Sequence, residues 1–324
     1  MKTATMFMGN ITQIDFAYID LNKQMLKGGS LNLSVEVTGP IEEQENVVVD
    51  FGSIKRTIKS IIDDKEEGYD HKLWVTKDFG DRTDVDSWVK PGATINKKIA
   101  MFEHAGQVIV ATPSFMIYCP KNAIKIYDQR SSFLVKEIEE YLEFNLNRVY
   151  QLPISQSLKI RVYLTDTPLL PYGHTPGVQY NFRYVHGLRQ STSWGCQNIA
   201  HGHLSWLLFL DGHHNVVPLD EDFKLKMDDE MNDHIFIWKD NVSIETAYVV
   251  NVDYQTFSRG YFNMSLSKEA CRYQVIETET TVEHLVDWFV EHFQDDIAKM
   301  VEKGATRLYF SEGLVKGACV SLKR

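Results

Sequence analysis

The order of predicted elements repeats along the chain, and this repeat restricts the possible folds more than any single motif does. Each half is predicted to run through two strands, a helix, a strand-rich middle section, a second helix and closing strands. Apolar and polar residues alternate over 31–37, which is the period of a half-buried strand. Ile54, Ile58 and Ile62 then share one face of a helix. We therefore predict a tandem duplication of one α+β domain, with an antiparallel sheet and helices on one face.

The boundary between the two predicted domains lies in a stretch that contains Pro168, Pro171 and Gly173. Proline and glycine interrupt helices and strands, so this stretch predicts domains at 1–170 and 171–324.

Two further elements of the first half follow from local pattern. The valines of 47–49 predict a short strand, and Leu134, Ile138 and Leu142 predict a helix by their spacing. In the second half the same spacing predicts a helix over 280–293. The middle section of each half carries extra apolar pairs and is predicted to be an inserted hairpin region.

Charge and hydropathy argue against two classes of partner. The net charge is −10 and the lysines and arginines form no cluster, whereas a nucleic-acid binder normally carries a basic patch. No apolar run approaches the length of a membrane span, and the first residues make a poor signal peptide. The four cysteines form no C-x-x-C pair. We expect a cytoplasmic protein with free thiols.

Three histidines of the second half are candidate metal ligands. His201 and His203 are two residues apart on a predicted strand, so both imidazoles point to the same face. His186 lies on the preceding strand, and a hairpin would bring it alongside. Three ligands and one open position suit a catalytic zinc ion. Spacing alone leaves open a pair of surface histidines.

A cysteine and two Asp-His pairs are candidates for proton transfer. Cys196 precedes the histidine pair in a Gly-Cys turn, where a metal or a charged histidine would lower the pKa of its thiol. It could equally be a structural thiol or a fourth zinc ligand. Asp70-His71 and Asp233-His234 occur at similar places in the two halves, and an Asp beside a His can orient it and tune its basicity.

Glu312 follows a predicted strand near the end of the second half. A carboxylate there could bind a guanidine-like ring edge through two hydrogen bonds. The other interpretation is a solvated strand end.

Taken in order, these residues resemble the 6-pyruvoyltetrahydropterin synthase / 6-carboxytetrahydropterin synthase family, of the tunnelling (T-fold) class. The motifs of that family are F-x-x-x-H, C-x(n)-H-G-H, V-V-D-F-G, D-H-K, T-x-E and a late glutamate. The second half matches them at 182–186, Cys196, 201–203, Asp233-His234, 281–283 and Glu312. The first half matches at 48–52 and 70–72.

The resemblance implies two tandem T-fold domains whose open sheets close into a barrel when chains oligomerise. It implies Zn²⁺ held by His186, His201 and His203, with Cys196 as the base that abstracts a proton. It also implies that an Asp-His pair serves as the partner acid or base.

For the ligand, the resemblance implies that Glu312 anchors a pterin and that Thr281 and Glu283 belong to the substrate-binding motif. The implied activity is that of a lyase acting on 7,8-dihydroneopterin triphosphate. Its product would be of the 6-carboxy type, in the 7-deazaguanine (queuosine precursor) pathway, or of the 6-pyruvoyl type. The alternative is a non-catalytic T-fold binding or assembly protein that retains a zinc pocket.

The first half departs from the family pattern. Tyr18 stands where the first zinc histidine is expected, 28–30 replaces the H-G-H motif, and Leu164 replaces the glutamate. We therefore expect no zinc in the first half. Because Asp70-His71 is retained there, we hypothesise that the first half lends this pair to a zinc site of a second half. Asp233-His234 is the rival donor.

Overall fold

A computed structural model describes residues 3–20, 23, 25–41, 47–76, 100–127, 135–150, 158–170 and 179–322. These residues form an α+β arrangement of three sheets and five helices. The helices are α1 (Phe51–Ile62), α2 (Val135–Tyr150), α3 (Glu221–Glu230), α4 (Val282–His292) and α5 (Gln294–Glu302). None of these helices is long and apolar enough to cross a membrane.

The first sheet is built from the first half of the chain. Its five strands are β1 (Thr3–Asp20), β2 (Met25–Pro40), β3 (Lys72–Thr76), β7 (Ile124–Tyr127) and β8 (Lys159–Thr165). They lie side by side in the order β7-β3-β1-β2-β8. The alternating segment 31–37 lies within β2, as predicted.

The second sheet repeats this order with strands of the second half. Its strands are β9 (Tyr180–His186), β10 (His201–Leu210), β11 (His234–Trp238), β15 (Tyr273–Ile276), β16 (Arg307–Glu312) and β17 (Lys316–Ser321). Their order is β15-β11-β9-β10-β16-β17, so β9 and β10 stand where β1 and β2 stand in the first sheet. The two sheets thus share a similar strand order, while the tandem duplication itself stays a prediction.

Both sheets are mixed, so the prediction of antiparallel sheets was wrong in part. β3 pairs parallel to β1 and β7, and β11 pairs parallel to β9 and β15. The reason is the connection: after the β1–β2 hairpin, α1 carries the chain back across the sheet to the far side of β1. A return of this kind through a helix places the next strand parallel to its neighbour.

The third sheet joins the two inserted regions, which the sequence did not reveal. Its strands are β4 (Ala100–His104), β5 (Gln107–Ala111), β6 (Phe115–Pro120), β12 (Val242–Glu245), β13 (Val249–Gln255) and β14 (Tyr261–Ser267). β6 of the first half pairs antiparallel with β14 of the second. The two halves therefore share one continuous six-stranded sheet.

Each main sheet is covered by helices on one face. Ile54 and Ile58 of α1 and Leu142 of α2 pack against the first sheet, while Leu285 and Phe289 of α4 pack against the second. The third sheet shares a separate core with both main sheets. The predicted positions of α1, α2 and α4 are confirmed, although Leu134 lies outside the described residues.

One local prediction, the short strand at 47–49, was wrong. Residues 47–49 form bends rather than a strand, and they lead directly into Asp50, whose carboxylate accepts a hydrogen bond from the Ser53 amide and caps α1. The proposed domain limits 1–170 and 171–324 stay a prediction.

Two glycines allow the main sheets to cross at close range. A Cβ atom on Gly28 of β2 would lie 2.4 Å from the amide nitrogen of His203, and one on Gly202 of β10 would lie 2.7 Å from Cα of Gly28. These neighbours are backbone atoms, which cannot rotate away. The crossing therefore sets how closely the β1–β2 hairpin approaches the β9–β10 hairpin.

Gly28→Ala is expected to destabilise the protein by about 3 kcal/mol, because the added methyl group forces two packed backbones apart. Gly212→Ala is the matched control, since a Cβ there meets no atom within 4 Å. Chemical denaturation of the two variants measures the difference. Equal stability of both would show that the crossing is not tightly packed.

Candidate functional site

His186, His201 and His203 form a buried cluster where the β9–β10 hairpin meets the first sheet. His186 pairs with His201 across the two strands, and His203 lies on the same face of β10 two residues later. All three side chains are fully buried. Their ring nitrogens lie within 4.8 Å of one another, and Nε2 of His186 is 3.1 Å from Nε2 of His203. The sequence-predicted ligands are thus brought together.

Two outer contacts orient this cluster. Nδ1 of His186 lies 2.7 Å from the carbonyl oxygen of Thr280, to which it donates, leaving Nε2 free to face the other rings. Nδ1 of His203 lies 3.2 Å from Oδ1 of Asp15, within ion-pair distance, although the two atoms form no hydrogen bond. Metal-binding histidines usually have such outer partners, which fix the ring and its tautomer.

The histidine cluster fits a divalent metal with nitrogen ligands. Burial and the neighbouring His203 lower the pKa of His186 to about 3, and burial lowers the pKa of His201 well below its usual value. Both rings are therefore neutral, as metal ligation requires. Neither nitrogen of His201 has a hydrogen-bond partner among the described residues. Three converging imidazoles, with His201 buried and otherwise without a hydrogen-bond partner among the described residues, suit Zn²⁺ with an open coordination position.

Asp15 reaches the cluster from β1 of the other half, and sequence reasoning missed it. Its buried carboxylate accepts hydrogen bonds from Oγ of Ser30 at 2.5 Å and from Nε2 of Gln13 at 2.7 Å. Burial raises the pKa of Asp15, but His203 and Lys316 outweigh burial and hold it below the usual range. Asp15 is therefore an anionic partner for His203. The available signal was a charged residue flanked by Ile14 and Phe16 in a largely apolar segment.

Asp15→Asn is expected to weaken zinc affinity about 10- to 100-fold, because it removes the anionic partner that orients His203. Competition with a fluorescent chelator measures the affinity. Asp222→Asn, a change at an exposed residue of α3, is the control. Thermal unfolding of both metal-free variants separates a ligand effect from loss of the fold, and unchanged affinity in the Asp15 variant would contradict its role.

Cys196 lies beside His71 of the first half. Its Sγ atom is 3.9 Å from Nε2 of His71, whose Nδ1 is 2.5 Å from Oδ2 of Asp70. The His71 ring also lies 4.3 Å from the ring of His201, centroid to centroid. A carboxylate, an imidazole and a thiol are thus aligned next to the histidine cluster. His71, Cys196 and His201 also have ligand atoms close enough to hold a metal, so Cys196 as a zinc ligand stays an alternative.

We call Asp70, His71 and Cys196 the relay. Their charges favour the thiolate form of Cys196. Burial lowers the pKa of His71, but Asp70 outweighs burial and raises that pKa to about 10. Burial raises the pKa of Cys196, but the hydrogen bond and charge of His71 lower it below its usual value overall. A protonated imidazole therefore stands beside a cysteine of lowered pKa, which is the usual environment of a reactive thiol.

Arg259, in the turn between β13 and β14 of the third sheet, connects the loop that contains Cys196 to His71. Its guanidinium donates to the carbonyl oxygens of Gly195 at 2.9 Å and His71 at 3.2 Å, and it stacks 4.0 Å from the centroid of Trp194. Nδ2 of Asn198 also donates to the His71 carbonyl, at 2.9 Å. The inserted sheet thereby holds together two segments that come from different halves.

Glu312 faces the histidine cluster from the end of β16. Its Oε1 is 3.5 Å from Nε2 of His203, and its Oε2 is 3.3 Å from Nζ of Lys316. Burial raises the pKa of Glu312, but His203 and Lys316 lower it overall, so the carboxylate is ionised. Glu312 is placed either to bind a small molecule beside the cluster or to be the fourth protein ligand of a metal ion held by the three histidines.

Asp233 and His234 are not part of the histidine cluster. The carboxylate of Asp233 forms an ion pair with Lys27, 3.1 Å away, and Nδ1 of His234 lies 3.0 Å from the carbonyl oxygen of Asn232. Neither residue belongs to a potential metal-binding group within the described part of the chain. Of the two candidate pairs, the structure brings Asp70-His71 to Cys196.

Strand register explains why the two Asp-His pairs differ. His71 and Asp233 both have positive φ, 56° and 59°, and both donate their amide to a carbonyl of the central strand. The side chains of Asp70 and Asn232 each accept a hydrogen bond from an amide of that strand. Asp233 is therefore the counterpart of His71, and the two Asp-His dipeptides are offset by one residue.

The same register corrects the alignment of the histidine motif. Tyr18 pairs with Lys27 as His186 pairs with His201. The segment that corresponds to His-Gly-His is therefore 27–29, not 28–30. Tyr18 keeps the place predicted for it.

Thr281 caps the start of α4, and Glu283 lies in its first turn. The Thr281 side chain accepts a hydrogen bond from the amide of His284, while Glu283 is exposed. The preceding residue, Thr280, is the one that contacts His186. A substrate role for Thr281 and Glu283 stays a prediction.

No protein-family model matches the chain, and no curated protein does. Similar solved structures include 6-pyruvoyltetrahydropterin synthase from Plasmodium vivax, with 17% identity, a TM-score of 0.38, and coverage of 52% of this chain and 95% of that one. A catalytic-residue mutant of the P. vivax enzyme has 16% identity, a TM-score of 0.39 and the same coverage. 6-Pyruvoyl tetrahydropterin synthase from Plasmodium falciparum has 16% identity and a TM-score of 0.34, covering 49% of this chain and 90% of that one.

Proposed function

We propose that the protein is a zinc-dependent pterin synthase, a lyase acting on 7,8-dihydroneopterin triphosphate. The observation that carries this proposal is the relay of Asp70, His71 and Cys196 directly beside three buried, converging histidines. A metal site adjoining an activated thiol suits chemistry that removes a proton from a carbon bearing a hydroxyl group. The resemblance of the sequence motifs to the pterin synthases selects the substrate class.

In this proposal each residue of the site has a separate role. His186, His201 and His203 hold Zn²⁺, which supplies Lewis-acid polarisation of the hydroxyl groups on the substrate side chain. Cys196, as the thiolate, takes the proton from carbon. His71 stabilises that thiolate before the transfer and returns a proton afterwards, while Asp70 keeps the ring oriented.

Glu312 is proposed to fix the pterin ring. An ionised carboxylate accepts two N–H groups from a guanidine-like edge, which sets both the position and the rotation of the ring. Lys316 supports this role, because its ammonium group lies 3.3 Å from Glu312 and helps to keep the carboxylate charged.

We further propose that the site is completed within one chain, with the first half acting as a non-catalytic T-fold that lends Asp70-His71. The contact between His71 and Cys196, residues 125 positions apart in one chain, supports this. The outer strands of the two main sheets, β7 and β8 in one and β15 and β17 in the other, have one strand neighbour each in the described chain. Pairing of such edges between chains is how T-fold oligomers close, so a homo-oligomer remains part of the proposal.

The test is incubation of zinc-loaded protein with 7,8-dihydroneopterin triphosphate, with products followed by mass spectrometry. We expect release of triphosphate or cleavage of the side chain, and the product mass distinguishes the 6-pyruvoyl from the 6-carboxy type. Cys196→Ala is the control and is expected to bind zinc without turnover. Stoichiometric zinc and bound substrate with no product from the wild-type protein would instead indicate a binding protein.

A further inference from the structure

A polar cavity of about 530 Å³ opens between the two main sheets, next to Gly28 at their crossing. Its size is within the usual range of small-molecule sites. Residues of both halves line it, among them Lys27, Asp166, Asn181, Arg183, Asn232 and Asp233. We call it the Lys27 pocket.

The Lys27 pocket is the counterpart of the histidine site in the repeated strand order. Lys27 corresponds to His201, because Tyr18 pairs with Lys27 as His186 pairs with His201. Asp233 corresponds to His71 through its backbone conformation and hydrogen bond.

The carboxylate of Glu312 also has a counterpart there. Leu33 pairs with Leu164 as Leu207 pairs with Phe310. Glu312 lies two residues beyond Phe310, and Asp166 lies two residues beyond Leu164. Asp166, not Leu164, therefore stands where the glutamate stands in the other half.

The chemistry of the pocket differs from that of the histidine site in one essential way. An ammonium group replaces the metal ligand: Nζ of Lys27 lies 3.1 Å from Asp233 and 3.3 Å from Asp20. Burial lowers the pKa of Lys27, but Asp233 outweighs burial and raises it overall, so the group is cationic. A fixed cation at this position excludes a divalent metal and with it the proposed chemistry.

Besides Lys27 and Arg183, the lining offers two carboxylates as hydrogen-bond acceptors for a ligand. Asp166 is exposed at the pocket and forms no ion pair with a described residue. Oδ1 of Asp233 has no hydrogen-bond partner among the described residues, although the atom is buried. A single carboxylate can accept both hydrogen bonds from a planar group that presents two adjacent N–H donors.

We propose that the Lys27 pocket binds a planar heterocycle with a guanidine-type N–H edge, the ligand class of the proposed substrate, and does not transform it. The inference rests on the proposed function for its ligand class. It makes the chain a two-site protein, with one site that turns over ligand and one that only binds it. Asp166 anchors the ring in the second site as Glu312 does in the first.

The experiment is equilibrium dialysis of the zinc-loaded protein against 2-amino-4-oxopteridine, the bare pterin ring. We expect two ligands per wild-type chain. Asp166→Ala is expected to lose one of them, with affinity at that site reduced at least tenfold, and to keep turnover of 7,8-dihydroneopterin triphosphate. Asp222→Ala, at an exposed acid of α3, is the control and is expected to keep both.

Glu312→Gln separates this inference from the proposed function. Loss of a ligand in the Glu312 variant but not in the Asp166 variant would overturn the inference and leave the proposed function standing. Loss in the Asp166 variant alone would support the pocket and contradict the proposed role of Glu312. Absence of binding by the wild-type protein would overturn both.

Discussion

His201→Ala is expected to reduce zinc from about one ion per chain to a small residual fraction. The His201 ring lies closest to the other two members of the cluster, with its centroid 4.3 Å from that of His203 and 4.9 Å from that of His186. Removing one of three protein ligands leaves two imidazoles, which is fewer than either structural or catalytic zinc sites use. Elemental analysis after zinc loading and gel filtration measures the stoichiometry.

His234→Ala is the matched control for the zinc measurement. His234 is also a buried histidine of the same sheet, but it lies outside the histidine cluster. We expect this variant to bind zinc as the wild-type protein does. Equal zinc content in the His201 and His234 variants would mean that the cluster is not the metal site.

His71→Ala is expected to lower turnover of 7,8-dihydroneopterin triphosphate by about 10²- to 10⁴-fold, the usual contribution of a general acid or base. The imidazolium of His71 lowers the pKa of the Cys196 thiol, so its removal also deprives the base of its charge partner. Zinc content is expected to stay unchanged, because His71 is not one of the three proposed ligands.

The control variant and a double variant make the His71 test specific. His234→Ala is expected to keep turnover near the wild-type value, since its ring does not reach the thiol. The double variant of His71 and Cys196 is expected to be no slower than Cys196→Ala alone, because the two residues act as one unit. Additive losses, or a larger loss in the His234 variant, would contradict the relay.

The histidine cluster could be predicted from the sequence because local geometry determines it. Residues two apart on a strand share a face, so His201 and His203 had to meet, and a hairpin register was enough to add His186. The strands and helices with strong periodicity were found for the same reason. The local sequence pattern, however, does not indicate which segments of the two halves contact each other.

The contributions of the first half could not be derived in this way. Asp15 meets His203 only because the two hairpins cross at Gly28 and Gly202, a contact between residues far apart in the chain. The pairing of β6 with β14 is equally non-local, and it is what brings Arg259 to the cysteine loop. No periodicity in either segment encodes its partner.

The alignment of the two halves shows a different limitation. Matching dipeptides placed Asp233-His234 opposite Asp70-His71, but the strand register places Asp233 opposite His71. Likewise the register assigns Asp166 to the position of Glu312, where matching by sequence chose Leu164. A one-residue offset turns the side chain to the opposite face of a strand, and a two-residue offset keeps the face but moves the side chain along the strand. Either offset changes which residue reaches a site.

The central claim is that one chain completes a zinc pterin synthase site with residues from both of its halves. The most direct test is turnover of 7,8-dihydroneopterin triphosphate by oligomers co-assembled from His71→Ala and Cys196→Ala chains. Since each chain lacks one member of its own relay, we predict that co-assembly restores no activity beyond that of the separate variants. Recovery of turnover in the mixed oligomers would show that His71 serves the cysteine of another chain, and absence of turnover by the wild-type protein would contradict the proposed function itself.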